Sequence, residues 1–231
     1  MRAFPFAFAL AACGPNIYDK APPGAFDGNI YLMWIDDGGS SGDGKFVFVP
    51  VPGKELTFIR NEKANATVRT IVPEMMYTDG GSIPRMAQIF NGFSPWGYAP
   101  AYMVHDWIFV AKNCTTDNDP QGDEAQIADM KFEESADIMA EAIKTLVAEK
   151  RVKPNDVSER VIPGVVGGSI SRGLWEQQGA CAERRVSPAD RAAAEAGLPG
   201  SRRSLRGMTR SLPGGQTIPV KRAQLITTFE F

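Results

Sequence analysis

The chain has 231 residues, 43% of them apolar and 23% charged, which excludes wholesale disorder, a collagen-like fibre and a polytopic membrane protein. Lys and Arg total 25 against 27 Asp and Glu, a net charge of −2, and neither this balance nor any motif points to nucleic acid. A single histidine excludes, within one subunit, any site built from two or three imidazoles, as in most catalytic zinc enzymes.

Residues 1–13 open on Met1-Arg2, continue as a short apolar run and end in Leu10-Ala11-Ala12-Cys13. The pattern resembles a bacterial lipoprotein signal, in which the cysteine after the small residues is acylated and becomes the new N-terminus. It is too short to span a bilayer as a permanent helix. Two readings stay open: lipid on Cys13 brings the chain to a membrane surface, or the segment packs on the fold or on a partner. With Cys13 lipidated, Cys114 and Cys181 are left to form a disulfide in an oxidising compartment; in the cytoplasm all three would be free thiols.

From Asn29 to Val72 the chain is extended. Ile30 to Ile35, Phe46 to Val49, Leu56 to Ile59 and Thr67 to Val72 are short runs rich in β-branched and aromatic residues, separated by glycine and asparagine. They predict a small antiparallel sheet. A glycine-rich loop with a proline follows at Thr78 to Pro84. Pro100 then opens a helix over 101–111. A turn at 117–122 leads to a longer helix over 123–150, where Ala125, Ala128, Phe132, Ala136, Met139, Ile143 and Leu146 recur at steps of three and four. A further helix is expected from Val157, before the glycines that lead to Trp175.

Residues 182–231 carry nine basic and four acidic side chains, so this stretch is +5 and the rest of the chain −7. An acidic body with a basic tail implies that the tail touches an anionic surface or folds back on the body. The expected organisation is one α+β domain over 14–181, a small antiparallel sheet on two or three helices. A mostly irregular basic tail over 182–231 follows, with one short helix at 188–196.

Three segments could carry chemistry. In Thr78-Asp79-Gly80-Gly81-Ser82-Ile83-Pro84-Arg85 the paired glycines let the backbone turn tightly and offer carbonyls or amides to an ion. His105-Asp106-Trp107 lies mid-helix, where consecutive side chains diverge by about 100° and so address different partners. Asp129, at the edge of the apolar stripe, would be largely buried and would need a donor, for which His105 is the natural candidate.

Thr-Asp-Gly-Gly-Ser-Ile-Pro-Arg, His-Asp-Trp-Ile-Phe and Ala-Asp-Met-Lys-Phe, in this order, resemble domain-of-unknown-function family 1353 of phage and bacterial proteins. The resemblance runs from about Lys45 to Trp175, with Phe109 where that family commonly has Tyr. It implies no established reaction. The order of motifs is also similar, more distantly, to secreted phospholipase A2. That likeness implies Ca²⁺ or another divalent cation held by Asp106 and the carbonyls of Gly80 and Gly81. It further implies His105 as general base, Asp129 as the carboxylate fixing its tautomer, and hydrolysis of an ester-type bond. The lipoprotein-like start and the resemblance to a phage and bacterial family imply the bacterial envelope or a phage particle as its location. The competing reading is a virion or envelope protein with protein partners, in which His105 and Asp129 tie helices together. Asp79 and Ser82 would then cap a turn, and Arg85 would pair with Asp79 or Asp106.

Overall fold

The computed structural model describes residues 17–36, 44–78, 98–154, 162–164, 166–212 and 214–231. Helix α1 (Ile17–Lys20) comes first, then six strands: β1 (Ala25–Asp27), β2 (Asn29–Asp36), β3 (Gly44–Pro50), β4 (Thr57–Ile59), β5 (Thr70–Ile71) and β6 (Met76–Thr78). Strand β2 pairs antiparallel with β3, from Ile30 opposite Pro50 to Asp36 opposite Gly44. These two apolar runs are buried on both faces, which is why they show little polar alternation. Ile30, Leu32 and Phe48 face the helices α2 (Ala99–Thr116) and α3 (Phe132–Ala148). Met33, Ile35, Val47 and Val49 face the opposite way, toward Ala193 and Ala194. A second sheet, in the order β1, β4, β5, packs its Phe26, Phe58 and Ile71 into the helix-side core. The architecture is α+β.

Pro100 sits in the first turn of α2, where its missing N–H has no partner to lose. The long helix expected over 123–150 is shorter. Gly122–Ile127 is a 3-10 helix, and a turn separates it from α3. Phe132, Ala136, Met139, Ile143 and Leu146 are buried as the periodicity requires, whereas Ala125 and Ala128, ahead of the turn, are exposed. Thr67 to Val72 yields only the two-residue β5. The helix expected from Val157 begins outside the described residues.

The basic tail is not irregular. Helix α4 (Ser169–Trp175) lies ahead of it and α5 (Cys181–Arg184) spans its start; the tail itself holds α6 (Pro188–Gly197), a hairpin of β7 (Thr209–Ser211) and β8 (Thr217–Pro219), and β9 (Gln224–Glu230). Strand β9 joins β2 antiparallel, giving a main sheet in the order β6, β3, β2, β9. Alanines make this possible: α6 is thin enough to lie close on the sheet, and a Cβ on Gly197 would stand 2.3 Å from the carbonyl oxygen of Ala223. Part of the tail's charge meets the acidic body, through Arg185 with Asp119 and Glu124 and Lys221 with Asp36, while Arg210 pairs with Asp190 inside the tail.

Candidate functional site

One face of α2 carries Tyr98, Tyr102, His105, Asp106 and Phe109, residues three and four apart that stack as helical neighbours must. Tyr98 and Tyr102 meet edge to face at 6.4 Å between centroids. The imidazole of His105 is only 5% exposed as a residue and lies against Phe109 at 4.7 Å, and Phe109 in turn meets Trp175 of α4 at 5.0 Å. His105 Nδ1 stands 3.6 Å from an oxygen of Asp106, an ion-pair distance too long for a hydrogen bond, as adjacent helical positions dictate. The Asp106 side chain is 27% exposed.

Two polar atoms in this face are buried and without a hydrogen-bond partner among the described residues: Nε2 of His105 and the hydroxyl of Tyr102. They lie one turn apart. Burial, then the neighbouring Tyr98 and Asp106, push the Tyr102 phenol well above its ordinary value, so it keeps its proton at neutral pH. Burial lowers the Arg184 guanidinium, and the charge of the Asp106 carboxylate opposes that shift.

Asp129 does not join this group. It lies in the turn between the 3-10 helix and α3, is exposed, and makes no ion pair with His105. The break in the helix is the physical reason: the stripe that would have buried Asp129 starts only at Phe132. Cys13, Asp79, Gly80, Gly81, Ser82, Arg85 and Trp96 lie outside the described residues. Of the other tryptophans, Trp107 and Trp175 are core residues and Trp34 packs on Phe46.

The far end of α2 is fastened to α4 and α5. Cys114 and Cys181 form a disulfide, with Cα atoms 4.6 Å apart. The Nδ2 of buried Asn113 donates to the carbonyls of Leu174, Trp175 and Gln177 at 3.0–3.3 Å. Asp117 accepts from the backbone N–H groups of Cys181 and Gly179, which hold its carboxyl below the usual range. An open groove of about 400 Å³ lies beside this junction, lined by Lys112, Lys131, Phe132, Glu133, Arg172 and Trp175 among others. His105 does not line it.

Sequence reading passed over Tyr102, whose spacing of three before His105 was a usable signal. It also missed Arg60, a buried cation held by Glu134 and Glu141 of α3.

Residues 55–151 match the family described as Protein of unknown function (DUF1353). The resemblance to that family therefore spans β4 to the end of α3, including Tyr102, His105 and Asp106 but neither Trp175 nor Cys181. No curated protein and no solved structure matches the chain.

Proposed function

We propose that this protein is an exported hydrolase of an ester-type bond, bacterial or phage-encoded, in which His105 is the general base. The observation that carries the reading is a pair of buried atoms without a partner among the described residues, His105 Nε2 and the Tyr102 hydroxyl. Buried polar groups in folded proteins almost always find partners, so two adjacent exceptions are explained by a water or reactant that passes between them. An imidazole is the side chain suited to exchange a proton with water near neutral pH.

The Asp106 carboxylate, 3.6 Å from Nδ1, acts through its charge rather than a hydrogen bond and favours the tautomer that carries its proton on that side, leaving Nε2 as the acceptor. Asp106 thus takes the orienting role expected of Asp129. Nε2 accepts a proton from water as the water oxygen bonds to the acyl carbon and the carbonyl π electrons move onto oxygen. Tyr102, still protonated, donates to that oxyanion. Collapse re-forms the carbonyl and breaks the bond to the alcohol oxygen, which leaves with the proton from Nε2. The products are a carboxylic acid and an alcohol.

Of the ligands expected for a divalent cation, Asp106 lies within the described residues, and Gly80 and Gly81 lie outside them. Export is supported by the Cys114–Cys181 disulfide and by the Leu-Ala-Ala-Cys13 box, which together suit the bacterial envelope.

A second reading, an architectural virion or envelope protein, is favoured by the near-complete burial of His105 beneath Phe109. Assay of the full chain against a panel of chromogenic acyl esters, with and without EDTA, separates the two. The hydrolase reading expects turnover that falls about 100-fold or more in His105→Asn. No turnover by the wild type, with a lowered unfolding midpoint in His105→Asn, would establish the architectural one.

A further inference from the structure

Arg184 and Arg185 stand at the end of α5 in unlike surroundings. Arg185 is saturated: Nε and both terminal nitrogens donate to Glu124, to Asp119 and to the Asp119 carbonyl. Arg184 also lies partly out of solvent, yet its guanidinium has one polar partner among the described residues, Oε1 of Gln177 at 3.3 Å. The ion pairs at this end of α5 belong to Arg185. Of the five N–H donors that a guanidinium carries, most are thus left for something else.

The fold turns this cation toward the candidate site. Asp106, Asn113 and Asp117, seven and four apart, lie on one face of α2. The chain beyond α4 is laid along that face. Asn113 holds the carbonyls of Leu174, Trp175 and Gln177, and Asp117 holds the N–H groups of Gly179 and Cys181. The disulfide to Cys114 fixes the start of α5, and the bond from Arg184 to the Gln177 side chain leads back from Asp117 toward Asn113. Asp106 follows about two turns further in that direction. Its charge acts on Arg184, against the burial that lowers the guanidinium.

We infer that Arg184 is a specificity-determining residue, binding an anionic oxygen group, carboxylate or phosphate-like, on the substrate of the His105 site. The reaction at that site rests on the hydrolase reading above. Asp106 and Arg184 together carry no net charge, so selection comes from directed N–H donors rather than from an electropositive field. A planar guanidinium offers two parallel donors to such a group. Anchoring one end of the substrate there leaves its acyl carbon to His105 and its carbonyl oxygen to Tyr102, whose hydroxyl lies one turn before Asp106 on the same helix. Arg184 lies beyond the residues that match the family, 55–151, so this selectivity belongs to the present chain.

Three chromogenic esters test it on the full chain: 4-nitrophenyl butyrate, 4-nitrophenyl hemisuccinate and 4-nitrophenyl 3-phosphonopropionate. The matching amides, butyramide, succinamate and 3-phosphonopropionamide, read binding alone by calorimetry. At least one anionic ester is expected to exceed the butyrate in kcat/KM by about tenfold or more, and the two arms show which anion is taken. Arg184→Gln should erase that ratio through a rise in KM for the anionic ester, and Arg184→Lys should restore part of it. Turnover with no preference for either anion overturns the inference and leaves the hydrolase reading standing. A ratio that survives Arg184→Gln, or equal losses on all three esters, overturns it in the same way, the latter by making Arg184 structural. No turnover, with an anionic amide bound by the wild type and not by Arg184→Gln, removes the hydrolysis and supports the anion site. Neither turnover nor such binding overturns both.

Discussion

Arg60 donates through Nε and Nη2 to the two carboxylate oxygens of Glu141, at 2.8 and 2.9 Å, with its side chain wholly out of solvent. Its remaining nitrogen pairs with Glu134, which also accepts from the N–H and hydroxyl of Thr67 at 2.7 and 2.6 Å. Strand β4 ends at Ile59, so this side chain fastens the smaller sheet to α3, together with the N–H of Gly24 on Thr145 and the N–H of Phe26 on Glu149.

Arg60→Ala strands two buried carboxylates without their cation. The expected loss is about 3–5 kcal/mol of unfolding free energy, read from urea denaturation. Arg60→Lys should recover little of it, because an ammonium cannot reproduce the two parallel bonds to Glu141.

Asp190 is the corresponding hub on the other face of the sheet. Its carboxylate accepts from the Tyr77 hydroxyl at 2.6 Å, lies 2.9 Å from Arg210 as an ion pair without linear geometry, and stands 3.4 Å from Lys45. Burial alone would raise this carboxyl, but Tyr77, Arg210 and Lys45 outweigh it and hold it below its ordinary value. A depressed carboxyl contributes stability above the unfolded-state value, and that stability is lost as pH falls through the folded one. Asp190→Asn is expected to cost about 1–3 kcal/mol near pH 7 and to remove part of the acid sensitivity below about pH 4. Urea midpoints of both proteins across that range check the sign.

The Cys114–Cys181 bond closes a loop with a sequence separation of 67. Reduction is expected to cost roughly 2–5 kcal/mol, mainly by freeing the unfolded chain. Asn113 and Asp117 still hold the same segment, so the reduced protein should remain folded and melt at a lower temperature. Calorimetry with and without dithiothreitol measures the difference.

Much of this was legible from composition and spacing. The runs through Ile30 and Phe46 announce their strands because burial on both faces leaves no polar alternation to obscure them, and the run through Thr57 does so by its β-branched and aromatic composition, with only Phe58 buried. Pro100 marked its helix, and Pro188 with Ser187 marked α6, where Ser187 accepts from the N–H of Asp190. The break after Ile127 was hidden because alanines at 125 and 128 fit a helical stripe whether buried or not. The tail's strands were hidden because β9 is exposed along nearly all its length and carries no core pattern of its own. Nothing local to Arg60 forecasts partners 74 and 81 residues away. Glu134 and Glu141, seven apart beside the apolar face of α3, were the readable half of that pair.

Lipid on Cys13 predicts a mature chain that begins at that residue. Mass spectrometry of the protein isolated from a bacterial envelope should give an acylated N-terminal cysteine, and an intact Met1 would contradict the anchor.

The proposed chemistry requires reagent to reach the Nε2 of the one imidazole in the folded protein. Diethylpyrocarbonate acylates an accessible, unbonded imidazole nitrogen, and with a single histidine the adduct is unambiguous by peptide mass. One adduct on His105 in the native protein, formed in step with loss of esterase turnover, is the predicted result. An imidazole that stays unmodified until denaturant is added would contradict the account.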